Sequence, residues 1–451
     1  MRMALRILFH LLHRPSIISH SAIFTRRSKL SFNMNVSTNT HKDILIIGGG
    51  IIGCSTAYQL TRHPSFSSAT TTIKVIEASK HGPAQGASGK AGGLVAKWAY
   101  PKELVAVSFA EHVKFAQEHN GQDRWGWRFV RCGSWEGKGA VLDEDEEFGD
   151  GLGAGGQRKS LEKTLGLGEG TGHKNDPASR KRKGLPDDLL WVDESLTHTY
   201  SPMAGDGDTA QVHPLLFTNS MMELAAKKGA QLIAGRAIKL NISDGVVTGV
   251  DIIHKDSGKS ETLRATHVIL AAGAWSSSLL ESLPISSTRA HSITIHPQPS
   301  VDIAPYVLFT EISLPGRRGL TVSPEIYARP GNEVYACGPG DDSFLPKNVD
   351  DVTIDEAACE SIWKHVCGIS PELRAGTVNK RQACFLPIVE TGGGPIVGAA
   401  SNIAQGLIIA TGHTCWGICN APGTAKALSE LVMDGKIQCA NLQRLHPSNY
   451  L

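Results

Sequence analysis

From Asp43 to Leu60 the chain reads DILIIGGGIIGCSTAYQL: an apolar run, a glycine turn and the start of a small-residue helix. No other stretch restricts the fold as strongly. Asp43–Ile47 is apolar and β-branched without alternation, the pattern of a parallel strand covered on both faces. In the turn that follows, Gly48 permits the tight bend, Gly50 lets the backbone approach a pyrophosphate, and Gly53 lets the helix pack close. Ile51 and Ile52 fill the positions between them. The helix over Cys54–Thr61 keeps Ser55, Thr56 and Ala57 small, as packing on a sheet requires. A second strand, Thr72–Ile76, ends in Glu77, 24 residues past Gly53, with Ala78 after it. A carboxylate there suits both hydroxyls of an adenosine ribose and repels a 2′-phosphate. The unit predicts a dinucleotide site without separating FAD from NAD.

More than 350 residues later, Gly406–Leu431 reads GLIIATGHTCWGICNAPGTAKALSEL. This is an apolar strand, a Gly-His turn and a helix whose N-terminus is free to face a ligand. Unpaired N–H groups and the helix dipole favour negative charge at such a start. Between the two units lie HGPAQGASGKAGGLV (His81–Val95), THVILAAGAWSSSL (Thr266–Leu279) and RQACFLPIVETGGGPIVGA (Arg381–Ala399).

In this order the segments resemble the superfamily of D-amino-acid oxidase, glycine oxidase and sarcosine oxidase over most of residues 43–435. The resemblance implies an α/β fold, with a Rossmann-like FAD-binding domain interleaved with an antiparallel-sheet α+β substrate domain. It implies FAD as cofactor. Gly48, Gly50, Gly53 and Glu77 would hold the ADP half, with Ser88 and Gly89 near the pyrophosphate and ring. Ala272 and Gly273 would end a strand where backbone nears the cofactor. Gly412, His413 and Gly417 would flank the flavin's pyrimidine edge, where helix N–H groups stabilise negative charge on reduction. The implied reaction is hydride transfer from a carbon beside an amine nitrogen to flavin N5. Electrons would then pass to O2 or another acceptor.

Departures from the family pattern bear on the substrate. Amino-acid oxidases of this superfamily carry a carboxylate-clamping arginine just before the proline of the Arg381–Ala399 segment. Here Leu386 precedes Pro387. Glycine oxidase adds an arginine three residues past the Gly of its Gly-His turn, where this chain has Cys415. A bidentate guanidinium is hard to replace for carboxylate recognition. The expected substrate is therefore a secondary or bulky amine, or an amino acid held by Arg329, Arg289 or Lys90. Cys384 falls where monomeric sarcosine oxidases bond a cysteine to the flavin 8α carbon; its other reading is a buried structural thiol. His413 is a candidate for direct chemistry or for satisfying backbone groups, and Trp416 a candidate pocket wall.

A length of 451 residues suffices for two domains. The 45 basic residues against 43 acidic give no reason to expect a nucleic-acid partner. Nine cysteines without a regular framework suggest free thiols in a reducing compartment. No histidine, cysteine or carboxylate cluster has metal-ligand spacing, no G-x-S-x-G elbow is present, and no apolar run is long enough to span a membrane. Residues 1–41 contain Arg2, Arg6, Arg14, Arg26, Arg27 and Lys29 but no acid, the composition of a mitochondrial or plastid transit peptide. The alternative is a start at Met34 and a cytoplasmic protein. Residues 136–187 read as a disordered insertion with an acidic run (Asp143–Glu147) and a basic tetrad (Arg180–Lys183).

The expected FAD domain comprises residues 42–100, 204–284 and 379–440. The expected substrate domain comprises 101–135, 188–203 and 285–378. Two other functions remain open at this level: a NAD-dependent dehydrogenase, and a flavoprotein whose role is mainly binding or regulation.

Overall fold

The computed structural model describes residues 41–142, 183–316 and 319–451. Residues 1–40 of the expected extension and 143–182 of the expected insertion lie outside the described residues. Glu136–Lys138, expected in the insertion, instead completes the strand Arg131–Lys138.

The strand Lys42–Ile47 lies inside an eight-stranded sheet, between Thr71–Glu77 and His267–Leu270, all parallel. Gln231–Ser243 extends the parallel part beyond Thr71–Glu77, and Leu407–Thr411 extends it beyond His267–Leu270. Antiparallel strands finish both sides: Val246–His254 and Ser260–Arg264 on one, Ile396–Ala399 on the other. The β-branched run therefore ends where expected, covered on both faces. Ile44 and Ile46 pack into one apolar layer and Leu45 and Ile47 into another, all of them buried. Each such side chain contributes about 1.5–3 kcal/mol on removal from water. The helix Ile51–Arg62 packs against the helices Pro214–Ala226 and Gly417–Asp434.

A second sheet runs, in spatial order, Thr377–Val389, Ile285–His296, Glu333–Asp341, Glu325–Arg329, Tyr306–Ser313, Arg131–Lys138 and Thr197–Pro202. Thr321–Val322 pairs with Tyr306–Ser313 off this path. The sheet is antiparallel except for one pair, Tyr306–Ser313 with Arg131–Lys138, which is parallel. Two segments depart from the expected division. Thr377–Val389, assigned above from residue 379 to the FAD domain, hydrogen-bonds along Ile285–His296 in the second sheet. The segment 101–135 is split: the strand starting at Arg131 joins the second sheet, Arg128–Phe129 pairs with Thr209–Gln211 in a small third sheet, and the helix Lys102–Glu118 packs on Gly417–Asp434.

That last contact has a chemical cause. Pro422 sits inside the helix Gly417–Asp434 and has no N–H for the carbonyl of Ile418. His112, on Lys102–Glu118, fills the gap by donating from Nε2 to Ile418 O at 3.0 Å. One turn earlier, Ser108 Oγ donates to Asn420 O and accepts from Gly423 N, both at 3.1 Å. Burial holds the His112 pKa down at about 4, so the ring is neutral. The Lys102–Glu118 helix thus braces the broken start of the helix that the Gly-His turn introduces.

Candidate cofactor and substrate site

The glycine turn after Lys42–Ile47 is shaped by close backbone approach. Gly48 has φ +112°, and a Cβ on it would meet Ala271 O at 2.4 Å; a Cβ on Gly53 would meet Gly48 O at 2.0 Å. Only glycine fits either position. The turn is latched to the end of Thr71–Glu77, since Gly48 N–H donates to Ile76 O at 2.9 Å and Gly49 N–H to Glu77 Oε2 at 2.8 Å. Ser79 N–H donates to Glu77 Oε1 at 2.6 Å. Burial pushes the Glu77 carboxyl up and these two N–H groups oppose it. Each oxygen retains a lone pair for a ribose hydroxyl. The helix Ile51–Arg62 has no side-chain cap of its own, and Ser88 Oγ accepts from Ile51 N–H at 2.9 Å.

A cleft with about 1160 Å³ of empty volume opens over this turn. Gly48, Gly50, Ile51, Ile52, Glu77, Ala78 and Ser88 line it together with Ala272, Gly273, Gly412, His413 and Gly417. Gly273 has φ +55° and open space where a Cβ would stand. A strap from the second sheet closes the Glu77 end. Its Asp350 accepts from Ser79 Oγ (2.5 Å), Lys80 N–H (2.9 Å) and Lys255 Nζ (2.8 Å). These donors outweigh the burial that opposes them and bring the Asp350 pKa down to about 2. A cleft whose lining includes both a ribose-type carboxylate, Glu77, and the start of a helix, Gly417, fits FAD.

A second cavity, with about 830 Å³ of empty volume, shares Ile51, Ala87, Ser88, Thr414 and Gly417 with the first. Its floor is the second sheet, and its walls include Phe309, Tyr327, Tyr335 and Trp416. These rings meet edge to face: Tyr335–Tyr327 at 5.5 Å, Tyr327–Phe309 at 6.5 Å and, through Trp98, Phe309 to Trp416 at 6.1 and 5.7 Å. Lys90 and Glu325 are the only charged residues in its lining among the described residues. At the junction, Thr414 holds φ +50°, an uncommon conformation for a β-branched residue and one concentrated at functional sites.

The family described as FAD-dependent oxidoreductase (DAO) matches residues 43–431. The chain belongs to the DAO family. An oxidoreductase of Saccharomyces cerevisiae, TDA3, is 32% identical, covering 91% of this chain and 95% of its own length. An oxidoreductase of Schizosaccharomyces pombe is 30% identical, covering 91% and 99%. Among solved structures, glycine oxidase from Geobacillus kaustophilus aligns with a TM-score of 0.61 at 18% identity, covering 90% of this chain and 98% of its own. Iminodiacetate oxidase from Chelativorans sp. aligns with a TM-score of 0.61 at 21% identity, with the same coverage. The protein is an FAD-dependent oxidoreductase, and the NAD-dehydrogenase reading is set aside.

Within this DAO site, several candidates take positions other than those expected. Arg329 lines neither cavity. Its Nη1 pairs with Glu333 at 3.0 Å, its Nη2 donates to Ala91 O, and its guanidinium lies 4.6 Å from the Tyr335 ring centroid. It stands behind the aromatic wall as a buried structural pair. Arg289 is likewise engaged, by Asp341 at 3.1 Å and by Thr353, and lines neither cavity. Gly89 also lines neither; a Cβ there would meet Ala84 O at 2.1 Å, so its role is close packing of the turn that carries Ser88 and Lys90.

Gly53 too lines neither cavity and serves the close packing of helix on turn, while the remaining candidates stand at the two cavities. Lys90 is in the second, donating to Ala383 O at 2.9 Å, with burial lowering its pKa. His413 is 4% exposed and exchanges a hydrogen bond with Thr424 Oγ1 at 3.1 Å; burial lowers its pKa to about 3. It is therefore a neutral wall of the cofactor cleft rather than a proton carrier at neutral pH. Trp416 lines the second cavity, and its indole N–H finds no acceptor among the described residues. Cys384 lines the second cavity rather than the first, beside Leu386 and Cys415; burial raises its pKa to about 11.

Sequence reasoning missed Phe309, Glu325, Tyr327, Tyr335 and Thr414. The four sheet residues belong to ordinary strands and meet only through register. For Thr414, adjacency to the Gly-His turn was the available signal.

Proposed function

We propose that the protein oxidises the carbon–nitrogen bond of an amine or amino acid seated in the second cavity, with FAD in the first. The observation that carries this reading is the shared lining of Ile51, Ala87, Ser88, Thr414 and Gly417, which makes the two cavities neighbours. Glycine oxidase and iminodiacetate oxidase, similar in fold, are named for small amino-acid substrates. Bound FAD supplies the hydride acceptor for the carbon beside the nitrogen, and electrons then leave to O2 or another acceptor.

The chain's own groups position and shield the substrate. Phe309, Tyr327, Tyr335 and Trp416 exclude water from the reacting carbon and present flat apolar faces. Lys90 is the cation available to a substrate carboxylate, taking the role that Leu386 and Cys415 cannot. An arriving carboxylate also offsets the burial that disfavours the ammonium charge. His413, neutral and bound to Thr424, is too weak a base to take the substrate's proton, so the reacting amine has to arrive unprotonated, the form whose lone pair drives hydride departure.

Anaerobic mixing of the FAD-loaded protein with a panel of amines and amino acids tests the reading. Bleaching of the flavin band by at least one amine, and slower bleaching in Lys90→Met by carboxylate-bearing substrates, is the expected result. A flavin that no amine reduces, while dithionite still does, would overturn it in favour of a binding or regulatory flavoprotein.

A further inference from the structure

The strap over the cofactor cleft comprises residues 342–352, between the strand Glu333–Asp341 and the helix Glu356–Cys367. Arg289 grips both of its roots, pairing through Nε with Asp341 at 3.1 Å and donating from Nη1 to Thr353 O at 3.2 Å. Between the roots the strap pairs with no strand, and Phe344 stands 99% exposed, so little burial holds it down. Two points tie it to the FAD-binding side. Trp275, in the turn Gly273–Ser278, donates its indole N–H to Pro346 O at 2.7 Å. Asp350 takes the three bonds from Ser79 Oγ, Lys80 N–H and Lys255 Nζ. The residues between these ties, Lys347, Asn348 and Val349, line the cleft, whereas Asp350, Ser79, Lys80 and Lys255 do not.

We infer that the strap is a gate for FAD, latched by Asp350, which has to release Ser79, Lys80 and Lys255 before the cofactor enters or leaves. Three observations converge. The strap grows from the second sheet, yet its residues 347–349 form part of the wall of a cleft built around the first, so a cofactor filling that cleft lies against it. Its hold there is concentrated: of the four hydrogen bonds named above, three end on one carboxylate, and letting go of that single group frees the segment between its roots. The Lys255–Asp350 pair is also sheltered, with side chains 20% and 10% exposed, so salt and water screen it less than a surface pair. The latch reaches the cofactor site through the chain as well. Lys255 Nζ donates to Ala78 O, and Ser79, whose hydroxyl Asp350 holds, gives its N–H to Glu77. A closed strap therefore steadies the loop that carries the ribose-type carboxylate, and an open one loosens it.

The test is kinetic and independent of any amine chemistry. Stopped-flow mixing of the flavin-free protein with FAD gives the association rate from flavin fluorescence, and dilution of the loaded protein gives the dissociation rate. A gate is common to entry and exit, so weakening its latch should raise both rates, at least about fivefold in Asp350→Ala, and change the affinity less than either rate. Lys255→Met leaves two of the three bonds on Asp350 and should raise both rates by less. These variants alter charge in opposite senses, so electrostatic steering of the anionic cofactor cannot speed association in both. Asp351→Ala removes the same charge as Asp350→Ala from an exposed neighbour outside the latch, and should leave both rates within about twofold of the parent. Faster release of FAD with unchanged or slower association in Asp350→Ala would make the strap a passive contact and overturn the inference. Acceleration by Asp351→Ala as large as by Asp350→Ala would overturn it too. Should Asp350→Ala lose its fold, Lys255→Met decides alone, and association there no faster than in the parent would overturn the gate.

Discussion

Replacing Gly53 with alanine places a methyl group where the turn leaves no room. Its Cβ would stand 2.0 Å from Gly48 O and 3.1 Å from Ile46 Cγ2, whereas ordinary contact begins near 3.4 Å. The opposing atom is backbone, and the turn is pinned by the 2.9 Å bond from Gly48 N–H to Ile76 O. The helix Ile51–Arg62 must therefore back away from its strand by more than an ångström. Overpacking of this kind costs about 1–3 kcal/mol, and a rigid opponent puts it at the upper end. Alanine's better helix propensity returns about 1 kcal/mol. The net expectation is a loss of about 2 kcal/mol, together with weaker FAD binding, because Gly48, Gly50 and Ile51, which line the cleft, move with the turn.

Gly417→Ala is the matched contrast. The nearest atom to its Cβ is His413 Cβ at 3.8 Å, so stability should stay within about 0.5 kcal/mol. Gly417 nevertheless lines both cavities, and FAD binding should weaken at least about tenfold as the methyl enters the cofactor's space. Denaturant unfolding of the flavin-free proteins, with FAD titration followed by fluorescence quenching, separates the two effects. If Gly53→Ala unfolds like the parent, or Gly417→Ala loses as much stability as Gly53→Ala, the reasoning from close approach is wrong.

Three further outcomes are expected. His112→Ala removes the donor to Ile418 O beside Pro422 and leaves that carbonyl unsatisfied, a loss of about 1–3 kcal/mol measurable by denaturant unfolding and absent from an exposed control such as His198→Ala. Stability should fall as pH drops below about 6.5, since unfolded His413 and His112 take up protons that the folded state refuses until about pH 3 and 4. Each histidine contributes a slope of up to about 1.4 kcal/mol per pH unit in that window, and unfolding midpoints at pH 7, 6 and 5 should fall less steeply in His413→Gln. Acid precipitation should release FAD into the supernatant, because the Cys384 thiol, with its pKa near 11, is protonated at neutral pH; a yellow pellet that Cys384→Ser turns colourless would show the opposite.

The parts of the site legible in the sequence are those encoded locally. Gly48, Gly53 and Glu77 were readable because a strand, a turn and an acid at fixed spacing leave little geometric choice, and each stands as that spacing requires. The Gly-His turn was readable through resemblance, and Gly412, His413 and Gly417 line the same cleft as the glycine turn. Groups whose role depends on distant partners were not. Arg329 looks like an available cation until Glu333 and Ala91 are brought to it. Lys102–Glu118 reads as an ordinary amphipathic helix, and nothing local tells that His112 completes a hydrogen bond Pro422 leaves open 306 residues away. Glu325 looks like the polar member of an alternating strand, yet the register turns it inward among rings. Sheet pairing is set by the whole fold, which is why the substrate cavity was the least legible part.

The most direct test of the account is a single anaerobic turnover of the FAD-loaded protein on an amine that bleaches its flavin, with every product quantified. Oxidation at the carbon–nitrogen bond, followed by hydrolysis of the imine, predicts one carbonyl compound and one released amine or ammonia for each flavin reduced. Flavin reduction with the nitrogen still attached to an otherwise intact carbon skeleton would contradict it.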